Sequence, residues 1–197
     1  MIVNWPERFF CNSIVRRFLQ RGEAKQLKHM RPMQPGGDIL EIGCGNGAGA
    51  ELIFEYFAPR SLHVLDLDPD MLRLARKRLA RTPAVVMEGD AQRLPFPDHS
   101  FDAVFNFGII HHLEDWELGI SEVARVLKPG GAFYFEEIFA ALYANRFWRH
   151  VVAHPTHNRF QAPEYKAAMA RSGLVLLPGA HETRLTMLGV AVKRADG

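Results

Sequence analysis

Residues 40–51 read LEIGCGNGAGAE, with glycine at positions 43, 45, 47 and 49 directly behind an apolar run. Glycine loses more conformational freedom on ordering than any other residue. Such a concentration marks a place where the backbone must turn sharply or approach something closely. An apolar, strand-like run ends here and a helical pattern begins. The chain is therefore confined to folds in which a strand feeds a helix through a bare loop. The spacing leaves the ligand open. Gly43, Gly45 and Ala48 satisfy the loose dinucleotide pattern G-x-G-x-x-G/A, whereas Gly43, Gly45 and Gly47 give the tighter G-x-G-x-G. A nicotinamide cofactor and an adenosyl cofactor both fit that pattern.

The rest of the chain repeats the same alternation. The strand-like runs DILEIG, SLHVLDLD, AVVMEGD, FDAVFNFGI and AFYFEEI are interleaved with the helical patterns GAGAELIFEYFA, PDMLRLARKRLA and DWELGISEVARVL. That order is the signature of a parallel α/β sheet. Asp68 and Pro69 open the second of these helices as N-cap and first helical residue, and its spacing puts Met71, Leu72, Ala75 and Leu79 on one face. Lys128–Gly131, KPGG, reads as the turn before the fifth strand. After a helix from Pro163 to Gly173, the runs LVLLP and RLTMLGVAVKR stand about seven residues apart. A parallel crossover needs a dozen or more residues, so this pair is expected to be antiparallel. The expectation is a doubly wound α/β fold of seven strands, mostly parallel, with an antiparallel last strand. One domain over residues 1–197 is expected to comprise an N-terminal helical arm (1–36, its helix over 7–30) and a cofactor-binding core (37–138). A segment suited to covering the site (139–162) and a last helix and hairpin (163–197) complete it.

Composition narrows the function classes. A formal net charge of +2 is too mild to argue for nucleic acid, and the basic run RLARKRL reads as the solvated face of a helix. The two cysteines, Cys11 and Cys44, have no metal-ligand spacing, and one lies within the glycine loop, which favours a reducing compartment. No apolar run is long enough to span a bilayer and the first residues lack the pattern of a signal peptide, so a cytoplasmic protein is expected.

In open α/β sheets, ligands lie beyond the carboxyl ends of the strands. Strand one ends at Glu41, strand two at Asp66 and then Asp68, strand three at Asp90 and strand four at Asn106. An acid about 20 residues past the glycine loop can accept hydrogen bonds from ribose hydroxyls, and Asp66 is so placed. Its structural alternative requires a lysine, arginine or amide neighbour to offset burial. Asp90 could accept from an adenine amino group or cap the turn AQRL.

The ordered set LEIGCGNG, LDLDPDML, EGDAQRLPFPDHSFDAVF, HHLED and RVLKPGG resembles the small class I S-adenosylmethionine-dependent methyltransferases, a Rossmann-like family. The likeness is nearest to the branch of quinone-biosynthesis C-methyltransferases and other small-molecule enzymes. It runs from about Gly37 to Gly131. It implies S-adenosylmethionine as cofactor, with Glu41, Gly43, Cys44, Gly45 and Gly47 around the methionine half. It further implies Asp66 on the ribose hydroxyls, Leu67 against the adenine, Asp90 and Ala91 at the adenine amino group and ring, and Asn106, mostly by main chain, near the methionine amino group. Methyl transfer from a sulfonium is an in-line displacement, so positioning supplies much of the rate. His111, nearer the strand end than His112, is the candidate base for an acceptor that loses a proton. Acceptor recognition is expected from Trp5, Phe9 and Phe10 in the arm and from the aromatic and histidine-rich segment after strand five. That segment is suited to a lid or to a membrane-surface contact. No metal motif occurs. The acceptor is expected to be a small molecule of apolar character, not a nucleic acid. Two other classes stay in view: a non-catalytic adenosylmethionine-binding module and a nicotinamide-dependent oxidoreductase.

Overall fold

The computed structural model describes residues 14–143 and 158–195. Trp5, Phe9, Phe10 and most of the segment expected to cover the site lie outside these residues. The sheet is built from β1 (Asp38–Ile42), β2 (Ser61–Asp66), β3 (Val85–Glu88), β4 (Phe101–Phe107), β5 (Leu127–Ile138), β6 (Leu174–Leu176), β7 (His181–Glu182) and β8 (Thr186–Lys193). Its order is β3-β2-β1-β4-β5-β8-β6, with β7 paired to β8 off this path. The first five strands pair in parallel, and β8 runs antiparallel to both β5 and β6. The expected seven strands are thus present with one addition. The two-residue β7 falls in the connection between β6 and β8, which is too short to be read as a strand from its sequence. The KPGG turn is a second adjustment. Leu127 already pairs with Phe101, and the next pair is Ala132 with Ala103, so residues 128–131 form a bulge inside β5.

Helices cover both faces: α1 (Ile14–Met30), α2 (Ala48–Phe57), α3 (Pro69–Arg78), α4 (Trp116–Val126), the single turn α5 (Ala140–Tyr143) and α6 (Ala162–Arg171). The strands alternate accordingly. Ile39, Ala103, Phe105 and Tyr134 join one core with Ala24 and Leu27 of α1, Ile53 of α2 and Leu72 of α3. Leu40, Val104, Phe133 and Phe135 join the other, with Ile120 of α4 and Tyr165 of α6. Asp68 caps α3 as expected, accepting from the backbone N–H of Asp70 and Met71, and Met71, Leu72, Ala75 and Leu79 are buried. No helix among the described residues is long and apolar enough to cross a membrane.

Strand order reverses between β1 and β4, so a crevice opens at their carboxyl ends. Helix α1 lies across this side of the sheet. Arg16, near its start, reaches Glu136 at the end of β5 (2.9 Å). Arg31, just past its end, donates to the Gly130 carbonyl at the beginning of β5 (3.1 Å).

Candidate active site

The crevice is a cleft of about 1020 Å³ of empty space, part of it continuous with solvent. Of the positions singled out from sequence, Glu41, Gly43, Cys44, Gly45, Asp66, Leu67, Asp90 and Ala91 line it. Gly47, Asn106 and His111 do not. Gly47 is the left-handed N-cap of α2 (φ 82°), and a Cβ there would meet Leu79 and the backbone of Ala75 in α3. Asn106 is buried, its Nδ2 donating to the Glu137 carboxylate (2.9 Å) and its Oδ1 accepting from the Ile109 N–H (2.9 Å).

The glycines divide by purpose. A Cβ on Gly43 would come within 2.4 Å of Ile109, and one on Gly49 within 2.0 Å of the Glu41 Oε1. Both are bare because the protein packs against them. Gly45 differs: its φ of 52° calls for glycine, yet nothing lies within 4 Å of where its Cβ would point. It lines the cleft, so this is the glycine with room for a ligand to come close.

The acids at the strand ends are held in different ways. Asp66 accepts from the Gly45 N–H through Oδ2 (2.8 Å) and from the Asp68 N–H through Oδ1 (2.9 Å). The amide neighbours that its burial required are therefore one from the glycine loop and one from the turn after β2. Burial raises its carboxyl, and the amides of Asp68 and Gly45 partly offset this. Each of its oxygens retains acceptor capacity toward the cleft. Glu41 is buried beneath α2, and its Oε2 has no hydrogen-bond partner. Burial pushes the Glu41 carboxyl well up, and the charge of Asp66 adds to this. Asp90 performs the capping role, accepting from the Gln92 N–H (2.8 Å), while also facing the cleft. Burial drives the Cys44 thiol upward, which makes it a poor nucleophile and fits a space-filling role.

Sequence reasoning missed part of the wall. Arg16 and Gln20 of α1 also line the cleft, with Phe107, Gly108, Ile109 and His112 at the β4 end. Arg16 is the one arginine or lysine on the wall among the described residues. It donates to Glu23 (2.8 Å) and Glu136 (2.9 Å). Glu136 is pushed up to about 7 by burial, with Arg16 pulling it down. The helical pattern of α1 was legible, but nothing local says which turn faces a site formed by distant strands. Behind this wall, His111 Nδ1 is hydrogen-bonded to Glu137, whose other oxygen accepts from Asn106 and the Ile110 N–H. His111 is 2% exposed there, and the imidazole at the cleft is that of His112, tilted 39° against it with the ring centroids 4.1 Å apart.

A family model described as a methyltransferase domain matches residues 40–135, which contain the glycine loop, Asp66, Asp90 and the β4 end. Residues 40–135 thus form a methyltransferase domain. The domain is similar to the fatty-acid O-methyltransferase of Mycolicibacterium smegmatis, at 36% identity over 155 residues, 77% of this chain and 50% of that protein. It is also similar to the phthiotriol/phenolphthiotriol dimycocerosates methyltransferase of Mycobacterium tuberculosis, at 37% over 103 residues, 52% of this chain and 38% of that protein. The chain thus spans half or less of the length of these relatives. Among solved structures, an S-adenosylmethionine-dependent methyltransferase from Mesorhizobium loti shares the fold. It has a TM-score of 0.73 at 22% identity, covering 88% of this chain and 100% of that one.

Proposed function

We propose that this methyltransferase domain transfers the methyl group of S-adenosylmethionine to a small, lipid-like acceptor. The observation that carries the cofactor is Glu41. Its unpartnered carboxyl oxygen lies buried under the start of α2, where a dinucleotide enzyme would place a pyrophosphate. With Asp66, Asp68 and Asp90 on the same wall, the cleft repels a pyrophosphate and suits an adenosyl amino acid bearing an ammonium and a sulfonium.

The residues fit that ligand in order. Asp66 would take the ribose hydroxyls with the lone pairs left by the two amides, Leu67 would pack on the adenine, and Asp90 and Ala91 would meet its amino edge. Glu41 and the loop Gly43–Gly45 would hold the methionine half, joined at the β4 end by Phe107 and Gly108, with Asn106 bracing them from behind. S-adenosylmethionine supplies an electrophilic methyl, so the chain needs to align the acceptor and exclude water. Where the acceptor gives up a proton, His112 is the imidazole within reach, and His111, set by Glu137, stands behind it as support or second base. The apolar acceptor is inferred from the Phe107 and Ile109 wall and from the two relatives, whose names place them on fatty acids and dimycocerosates.

Calorimetric titration with S-adenosylhomocysteine, beside NADH, tests the cofactor. Micromolar binding of the former alone is expected. NADH binding would overturn the reading. Transfer of radiolabelled methyl to long-chain fatty acids or hydroxylated lipids then tests the acceptor class. Cofactor binding without turnover on any acceptor would leave a binding module.

A further inference from the structure

Eight large apolar side chains are exposed among the described residues, and five of them, Phe18, Leu19, Leu67, Leu142 and Leu185, lie at one edge of the sheet. Leu67 follows β2 directly and lines the cleft. Leu142 is in the single turn α5 just beyond the end of β5. Leu185 precedes β8, and its carbonyl accepts from the Phe139 N–H (2.8 Å), which ties it to the same end of β5. Phe18 and Leu19 come within one helical turn of Arg16, which is fastened to Glu136 at that end. The carboxyl edge, where the cleft opens, therefore carries an apolar collar, with Phe18 77% and Leu19 48% exposed. Scattered exposed side chains of this kind need no explanation, but a concentration around one opening does.

The charge beside the collar is positive on balance. The outer face of α1 presents Arg17, Arg21, Lys25 and Lys28 with Phe18 and Leu19, and its one acid, Glu23, is turned inward onto Arg16. Arg17 and Arg21 also reach Glu51 and Glu55 of α2 (3.3 and 2.7 Å), so four cations face two acids and a positive surplus remains. A helix with basic residues and exposed Phe and Leu on one side is the arrangement that lies in a lipid interface.

We propose that this edge docks on an anionic bilayer, with Phe18 and Leu19 entering the acyl boundary and the α1 cations meeting the headgroups. Docking sets the mouth of the cleft against lipid, where an apolar acceptor would be drawn. This use of the surface rests on the acceptor class proposed above, whereas the docking is measurable without any acceptor.

The test is co-sedimentation of the full chain with vesicles of equal parts phosphatidylglycerol and phosphatidylcholine, beside pure phosphatidylcholine. Binding to the anionic vesicles is expected, with release at about 1 M salt, where the Debye length falls to about 3 Å. Phe18→Ser with Leu19→Ser should weaken partitioning roughly tenfold or more. Leu118→Ser, exposed on α4, should leave it unchanged. S-adenosylhomocysteine affinity should be the same in all three proteins, which shows that the site is intact. Failure to sediment with anionic vesicles overturns the docking, as does binding that the Phe18/Leu19 variant retains. Self-association through this edge, seen by sedimentation velocity and lost in that variant, also overturns it. A chain that binds S-adenosylhomocysteine but no vesicle refutes only the docking; one that binds vesicles but not S-adenosylhomocysteine refutes only the activity.

Discussion

Replacing Gly49 with alanine separates packing from helix propensity at the centre of the site. Gly49 lies in the first turn of α2, and alanine in place of glycine within a helix is ordinarily worth about 1 kcal/mol of added stability. Here the new Cβ would stand 2.0 Å from the Glu41 Oε1 and 2.8 Å from Phe107 Cδ2. Glu41 is 1% and Phe107 8% exposed, so each can give way only toward the cleft that it lines. Overpacking of a well-filled core costs about 1–3 kcal/mol, and two contacts this short belong at the upper end. The net expectation is a loss of about 2 kcal/mol, read as a fall of about 1 M in the urea midpoint for an m-value near 2 kcal/mol/M. The Glu41→Ala background removes the shorter clash and leaves the Phe107 contact. There Gly49→Ala should cost at least about 1 kcal/mol less, a coupling large enough for a double-mutant cycle. A stabilising Gly49→Ala, or a cycle with no coupling, would show that the carboxyl of Glu41 does not sit beneath α2.

Asp66→Asn should weaken S-adenosylhomocysteine binding by about 1–3 kcal/mol in calorimetry, because an amide cannot accept from the loop and from ribose hydroxyls on both atoms; an unchanged Kd sinks the ribose assignment. His111→Ala should lower stability by about 1–3 kcal/mol, since it takes a donor from the fully buried Glu137, and a thermal midpoint equal to wild type would show that this bond contributes nothing. Asp38 is held down at about 2 by hydrogen bonds from Arg60 and Ser61, with Lys128 adding to them. Its depressed carboxyl contributes stability that is complete above the ordinary value of 3.8 and is lost as pH falls through about 2. Asp38→Asn should therefore flatten the acid limb of stability between those limits, and an unaltered limb in acid titration would remove Asp38 from the linkage.

The sequence alone determined those features whose physics is local. An apolar run ending in glycines must be a strand feeding a helix, Asp68 before Pro69 must cap α3, and a connection too short for a crossover must leave its two strands antiparallel. The strand-end acids followed as well, because parallel strands deliver their carboxyl ends to one edge. Tertiary structure decided which neighbour each of these residues meets. It turned Asn106 and His111 inward onto Glu137, a residue on β5 that no local pattern ties to them. It brought His112 to the cleft and laid Arg16 of α1 across it to Glu136, 120 positions away in the chain. It also assigned the glycines: Gly43 and Gly49 yield to Ile109 and Glu41, and Gly45 is left open to a ligand. Spacing along a chain specifies the direction of a backbone, whereas a contact between side chains from separate elements exists only once the sheet has set their distance.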